Sequence, residues 1–184
     1  MKTSVYIATS LDGYIARVDG SLDWLPGSDG QSDTGMEGED FGYTKFFDDV
    51  DVMVMGRNTY QLVRSFGEWP YGEKSVFVLS GSLTDLSVAP GAQVQLKNCT
   101  VRELHQELSA AGYRHAYIDG GQTIQGFLGA GLIDDITITR VPILIGSGIP
   151  LFGPLSADVR LEHVRTQSYA NGFVQSHYHV TRPA

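Results

Sequence analysis

Val52-Met53-Val54-Met55-Gly56-Arg57-Asn58-Thr59-Tyr60 runs from four apolar residues through a glycine into a polar segment. The apolar run reads as a buried strand, and residues 58–66 read as a helix that follows it directly. Glycine at such a junction lets the backbone approach a ligand closely, and the helix start behind it offers N–H groups to an anion. Ile118-Asp119-Gly120-Gly121-Gln122-Thr123-Ile124 repeats the arrangement, again with a strand entering a helix. A third glycine turn, Ser10-Leu11-Asp12-Gly13-Tyr14-Ile15-Ala16, follows the first apolar run. Two such turns side by side could cradle a pyrophosphate, whereas either alone is accounted for by turn geometry. Neither matches G-x-G-x-x-G, so a Rossmann dinucleotide site is not indicated.

Working outward, short β-branched runs recur at residues 5–8, 52–55, 76–79, 116–118, 136–139, 161–166 and 174–180. Helical patterns lie between the early ones, at residues 41–49 and 58–66. Val101, Leu104, Leu108 and Ala111 form one face of a further helix, with Thr100 as N-cap, Glu103 closing a capping box and Gly112 just past its end. A fourth helix is expected over residues 123–128. The last sixty residues read as strands only, with Tyr169-Ala170-Asn171-Gly172 turning between the final two. Strand–helix alternation followed by a terminal hairpin predicts an α/β fold: a mixed, mostly parallel sheet with helices on both faces.

The chain has 184 residues, 42% apolar and 18% charged, which predicts one globular domain spanning 1–184. Its 22 glycines fall at the ends of apolar runs, not in low-complexity tracts. Thirteen Lys and Arg against 21 Asp and Glu leave a formal charge of −8, which argues against nucleic acid as a partner. The single cysteine, Cys99, excludes an internal disulfide framework and fits a reducing, cytoplasmic setting. No apolar run is long enough to span a membrane, so no membrane partner is expected.

Residues 18–39 form a long irregular stretch containing Asp19, Asp23, Asp29, Asp33, Glu37 and Glu39 without a Lys or Arg. Its length, glycine content and unbalanced charge predict a mobile lid over residues 19–39. Its acids do not follow an EF-hand order. Walker A, G-x-S-x-G, H-E-x-x-H and C-x-x-C motifs are all absent. His177 and His179 alternate on one strand face, but no third ligand is apparent from the sequence, so no metal site is assigned.

Taken together, residues 10–16, Gly-Ser-Leu-Asp-Trp at 20–24, residues 54–60 and Asp119-Gly120-Gly121 resemble the dihydrofolate reductase superfamily. More closely, they resemble its branch similar to the reductase domain of the bifunctional riboflavin-biosynthesis deaminase/reductase. The resemblance runs from about Thr3 to Val180. It implies a three-layer fold with a central eight-stranded mixed sheet and a C-terminal β-hairpin, and NADPH laid across the C-terminal strand ends. Ala8 and Ile15 would flank the nicotinamide. Gly56, Arg57, Asn58 and Thr59 would hold cofactor phosphates. Leu79 and Ser80 would lie near the adenosine ribose, while Gly120, Gly121, Gln122, Thr123 and Ile124 would wrap the pyrophosphate. Asp40, sixteen residues before Gly56, corresponds to the family acid that grips the pteridine, and Thr139 to the threonine supporting it.

Two departures narrow this reading. The zinc motif of a deaminase domain is missing. So is the Trp-Pro that precedes the acid in dihydrofolate reductases, although Trp24-Leu25-Pro26 could occupy the same lid. The expectation is an NADPH-dependent oxidoreductase acting on a small heterocyclic or imine-like substrate, most like 5-amino-6-(5-phosphoribosylamino)uracil reductase. Dihydrofolate reduction is one alternative, and a non-catalytic nucleotide-binding protein is another. A substrate phosphate would need a cation, for which Lys45, Arg64 and Arg140 are candidates. The apolar residues 141–145 and 149–152 offer either core or a homodimer contact.

Overall fold

In the computed structural model, which describes residues 1–26, 39–86, 88 and 90–181, strand β1 (Lys2–Ser10) lies inside an eight-stranded sheet. It pairs in parallel with β6 (His115–Asp119) on one side and β7 (Asp135–Val141) on the other. Beyond β6 come β3 (Val52–Gly56), β4 (Ser75–Leu79) and β5 (Val94–Lys97), all parallel. Beyond β7 come β10 (Val174–Thr181) and β9 (Arg160–Ser168), both antiparallel to their neighbours. The sheet order is β5-β4-β3-β6-β1-β7-β10-β9. The mixed sheet and its terminal hairpin are as expected.

Alternation along β3 sorts the core onto two faces. Val52 and Val54 pack with Leu104 and Leu108 of α3 (Val101–Ala110) and with Ile124 and Phe127 of α4 (Gly121–Gly129). Met53 and Met55 face the other way. They meet Tyr60 and Val63 of α2 (Arg57–Ser65) and Phe46 and Phe47 of α1 (Tyr43–Asp48). These four β3 residues have no exposed surface, as a strand covered on both sides requires. Helix α3 starts where the sequence places it. The Glu103 N–H donates to Thr100 Oγ1 at 3.2 Å, and the Thr100 N–H donates to Glu103 Oε2 at 2.8 Å.

Three short strands were not anticipated. Strand β5 is a four-residue edge with polar Gln95 and Lys97, too short and too polar to register as an apolar run. Strands β2 (Tyr14–Ala16) and β8 (Ile149–Pro150) form a separate two-stranded sheet whose partners are more than 130 residues apart. Helix α1 is also shorter than residues 41–49, because Phe41 and Gly42 adopt left-handed backbone with φ of 56° and 84°. Residues 27–38, the larger part of the expected lid, lie outside the described residues. Before them, Arg17 pairs with Asp23 at 2.6 Å, and Trp24 is buried against Val141 and Phe173.

Candidate active site

The two glycine turns meet at the C-terminal end of the sheet. Gly56 precedes α2 and Gly120 precedes α4, and each turn rests on a threonine of the other. A Cβ on Gly56 would come within 2.9 Å of Thr123 Oγ1, and a Cβ on Gly120 would overlap Thr59 Oγ1. Gly120 also has a φ of 88°, which L side chains rarely adopt. Glycine is therefore required at position 120, and a side chain at 56 would displace the Thr123 hydroxyl on which the turn rests. Interlocking aims two helix N-termini at one place, where the first N–H groups of each helix have no partner within the helix. Gln122 is exposed at this rim, and Thr123 is buried between the turns. Ile124 is different. Its side chain is fully buried in the core and its N–H donates to the Gly120 carbonyl at 2.9 Å, so it has no group left for a ligand.

Arg57 and Asn58 are exposed beside this notch, with Thr59 half-buried. The Arg57 guanidinium donates through Nη1 to Ser82 Oγ at 2.6 Å and through Nε to Asn58 Oδ1 at 3.3 Å. Among the described residues it makes no ion pair, so no described acid neutralises its charge. Ser80, next after Leu79 at the end of β4, accepts from the N–H groups of Ser82 and Leu83 at 3.2 and 3.0 Å. That shapes the loop holding Ser82 under Arg57. Arg57, Leu79 and Ser80 thus share one corner of the strand ends.

The Ser10–Ala16 turn is clamped in place. Asp12 accepts from Gly146 N at 2.8 Å and from Ser10 Oγ at 2.6 Å, and Leu151 N donates to the Gly13 carbonyl at 3.0 Å. The Ser10 and backbone donors hold the Asp12 carboxyl below its ordinary range. The clamp sets the Ile15 side chain against Gly121, where a Cβ would lie 2.9 Å from Ile15 Cδ1. Ala8 is half-buried on β1 and stands opposite Thr139 of β7.

Thr139 and the Asp40 segment are joined by a residue the sequence reading passed over. Gln175 of β10 stands opposite Thr139, is 4% exposed, and donates from Nε2 to Thr139 Oγ1 at 3.0 Å. The same nitrogen lies 3.0 Å from the Phe41 carbonyl and 2.9 Å from the Tyr6 hydroxyl. The Tyr6 hydroxyl also donates to the Phe41 carbonyl. Burial pushes the Tyr6 phenol up to about 12, so it remains a donor at neutral pH. Phe41, the one described non-glycine residue with positive φ, is held in that conformation by these bonds and by its ring contacts with Phe173 and Tyr169.

Asp40 itself is exposed. Its two oxygens accept from Gly42 N at 2.8 Å and Thr44 N at 2.9 Å, so it caps the start of α1. The Thr44 hydroxyl and these N–H groups hold its carboxyl below the usual range. Thr139 therefore connects to the Asp40–Phe41 backbone through Gln175, with no direct contact to the carboxylate.

A second acid stands deeper. Asp119 ends β6, and its Oδ1 accepts from Gly120 N at 2.8 Å. Burial pushes its carboxyl up to about 6, against the opposing effect of that hydrogen bond. The phenols of Tyr43, Tyr71 and Tyr117 lie near enough for the Asp119 charge to raise them further, although their burial is the larger cause. In the sequence Asp119 belongs to the Asp119-Gly120-Gly121 motif. Its signal was an acid at the C-terminal end of an otherwise apolar strand, but only the packing reveals its altered acidity.

The three candidate phosphate cations, Lys45, Arg64 and Arg140, are all exposed. Leu151 and Val141 join the buried core, whereas Leu144 and Phe152 are 69% and 45% exposed. His177 and His179 do gain a third neighbour: Asp135 of β7 lies opposite His179 in the sheet, a pairing that residue spacing cannot show. Among the described residues, no helix is long and apolar enough to cross a membrane.

This sheet, with helices on both faces and a terminal hairpin, is the fold of dihydrofolate-reductase-like proteins. It superposes on dihydrofolate reductase from Enterococcus faecalis complexed with NADP(H), with a TM-score of 0.65, 18% identity and coverage of 98% of this chain and 97% of that one. Within that class the chain belongs to the RibD C-terminal domain family, which matches residues 2–175. A putative riboflavin biosynthesis protein from Shewanella sp. PV-4 has 40% identity and a TM-score of 0.87, with 99% and 100% of the two chains covered. The uncharacterized protein YwjB of Bacillus subtilis is 35% identical over 179 residues, 96% of this chain and 97% of its own length.

Proposed function

We propose that this chain is an NADPH-dependent reductase of the riboflavin-biosynthesis type, acting on a small imine-like substrate such as 5-amino-6-(5-phosphoribosylamino)uracil. The observation that carries the reading is the interlock of Gly56 with Thr123 and of Gly120 with Thr59. It aims two helix N-termini into one notch, an arrangement suited to a pyrophosphate. Membership of the RibD C-terminal domain family supports the same reading.

In this reading NADPH, when bound, supplies the hydride, and the chain supplies binding, orientation and the proton. Gly56, Arg57, Asn58 and Thr59 on one turn, and Gly120, Gly121, Gln122 and Thr123 on the other, hold the cofactor phosphates. Leu79 and Ser80 adjoin the adenosine ribose. Ala8 and Ile15 flank the nicotinamide. Ile124 serves by packing α4, not by contact. Gln175 orients Thr139 and the Phe41 carbonyl on the substrate side.

Reduction of C=N needs one proton beyond the hydride. Asp119, whose pKa burial raises to about 6, retains a proton closer to neutrality than an ordinary carboxyl, and with Oδ2 not taken by Gly120 it is this reading's candidate proton source. Asp40, held ionised by its capping bonds, is suited to gripping a polar substrate edge. For the homodimer expected from residues 141–145 and 149–152, Leu144 and Phe152 are the exposed apolar side chains, and light scattering tests it.

The test is to mix purified protein with NADPH and either 5-amino-6-(5-phosphoribosylamino)uracil or dihydrofolate, and to follow loss of NADPH absorbance. Turnover of the ribosylamino-pyrimidine supports the proposal. Turnover of dihydrofolate alone moves it to the folate alternative. NADPH binding without oxidation by either acceptor would favour a non-catalytic nucleotide-binding protein.

A further inference from the structure

At the opposite end of the sheet from the glycine turns lies a second group of polar side chains. Asp135 opens β7 and His179 stands opposite it on β10, with His177 two residues away on the same face. Six residue steps along β7 separate Asp135 from Val141 at the cofactor end, about 20 Å of extended strand. Asp135 is 4% exposed, His177 is half-buried, and His179 opens to solvent.

We propose that Asp135, His177 and His179 form a binding site for one divalent transition-metal ion of the zinc type, clipping β10 to β7. Two imidazoles and one carboxylate are the donor set such ions favour over magnesium or calcium, which prefer oxygen alone. The three donor atoms lie within 4.8 Å of one another. Tetrahedral zinc, at about 2.0–2.2 Å from each donor, spaces its ligands about 3.3–3.5 Å apart. Asp135 Oδ1 and His177 Nε2 are 3.4 Å apart. The His179 Nδ1 to Asp135 Oδ1 contact is a hydrogen bond, closer than two ligands of one ion, and rotation of the exposed imidazole opens it.

The two rings stand 5.4 Å apart at 80° to each other, so they are not stacked and can turn toward a common point. The carboxylate is already oriented. Lys2 Nζ holds Oδ2 at 2.6 Å and the Ser4 hydroxyl lies 3.5 Å from it, leaving Oδ1 to face the two imidazoles. Such partners set a metal-binding carboxylate in position. The Lys2 charge also limits affinity, because it offsets the one negative charge in the cluster. Solvent beside His179 supplies a fourth ligand as water. The competing account is that Asp135 only accepts hydrogen bonds from the histidines and pairs with Lys2.

Titration of untagged full-length protein with Co2+, followed by visible absorption, distinguishes the two accounts, with Zn2+ competition as a second readout. The proposal expects one Co2+ per chain with the strong visible bands of a four-coordinate site, displaced by one equivalent of Zn2+. His179→Ala and His177→Ala should each weaken binding by more than the ~10–100-fold typical of losing an outer partner. Cys99→Ser should leave it unchanged, which excludes the thiol. Absence of saturable binding, or binding that survives both histidine substitutions, overturns the proposal and leaves the hydrogen-bonded cluster. Exposed His179 is the preferred variant, since Asp135→Asn risks misfolding through its buried ion pair.

Discussion

Gly120 sits against the hydroxyl of Thr59 so closely that no side-chain carbon fits between them, and its φ of 88° is one that L residues rarely adopt. The contact joins the turn after β6 to the first turn of α2, and so fixes the spacing of two helix N-termini. Gly120→Ala should cost stability through both backbone strain and overlap, about 1–3 kcal/mol. Removing the hydroxyl in a Thr59→Ala/Gly120→Ala double variant should recover only the overlap part. Thermal unfolding of the wild type, the single and the double variant measures the two shares. Equal stability of Gly120→Ala and wild type would count against the interlock.

Arg57 has serine and asparagine partners but no acid among the described residues. In the proposed reading its charge meets the 2′-phosphate that distinguishes NADPH from NADH. Losing a charge-assisted bond costs about 1.5–3 kcal/mol, so Arg57→Ala should weaken NADPH binding ~10- to 150-fold. NADH affinity should barely change. Dissociation constants for both cofactors in both proteins check this. Equal losses for the two would remove Arg57 from the 2′-phosphate.

Gln175 ties Thr139, Tyr6 and the Phe41 carbonyl together from a buried position. Gln175→Met keeps the length of the side chain but leaves the Thr139 hydroxyl without its donor. A buried unsatisfied group costs about 1–3 kcal/mol. The variant should therefore unfold earlier and show a raised KM with NADPH affinity retained. Unchanged KM would mean that the network serves folding alone.

Asp119 and Asp40 should separate by pH. Asp119 has a folded pKa of about 6 against an ordinary 3.8, so the folded protein holds its proton longer than the unfolded chain does. Stability is then lost as pH rises from about 4 through 6, and Asp119→Asn should be the more stable protein above that window, by about 2–3 kcal/mol. At pH 4 the gain should disappear. If Asp119 supplies the proton, activity should fall above pH 6, and Asp119→Asn should abolish that inflection. Asp40 is lowered by its capping bonds and is ionised across this range, so Asp40→Asn should reduce turnover while leaving NADPH affinity and the inflection in place. Denaturation midpoints and pH–rate profiles of both variants decide the assignment.

Much of this was legible before the fold. The capping box at Thr100 and Glu103 depends on neighbours three residues apart, and the glycine turns follow apolar runs directly, so local reading reached both. Gln175 was not legible, because its meaning comes from register. Thr139 lies opposite it only once β7 and β10 pair, 36 residues apart. Asp135 was missed as a neighbour of His177 and His179 for the same reason. Counting back from Gly56 reaches Asp40, but a count does not reveal that its oxygens already cap α1. Ile124 looked like part of a phosphate turn by position, whereas helical periodicity turns its side chain into the core.

Hydrogen exchange of backbone amides with and without NADPH tests the cofactor cradle most directly. The account predicts added protection in two separate stretches, residues 56–59 and 120–123, with little change at Asp135, His177 and His179 at the other end of the sheet. Protection confined to one turn, or appearing elsewhere while both turns exchange as before, would contradict it.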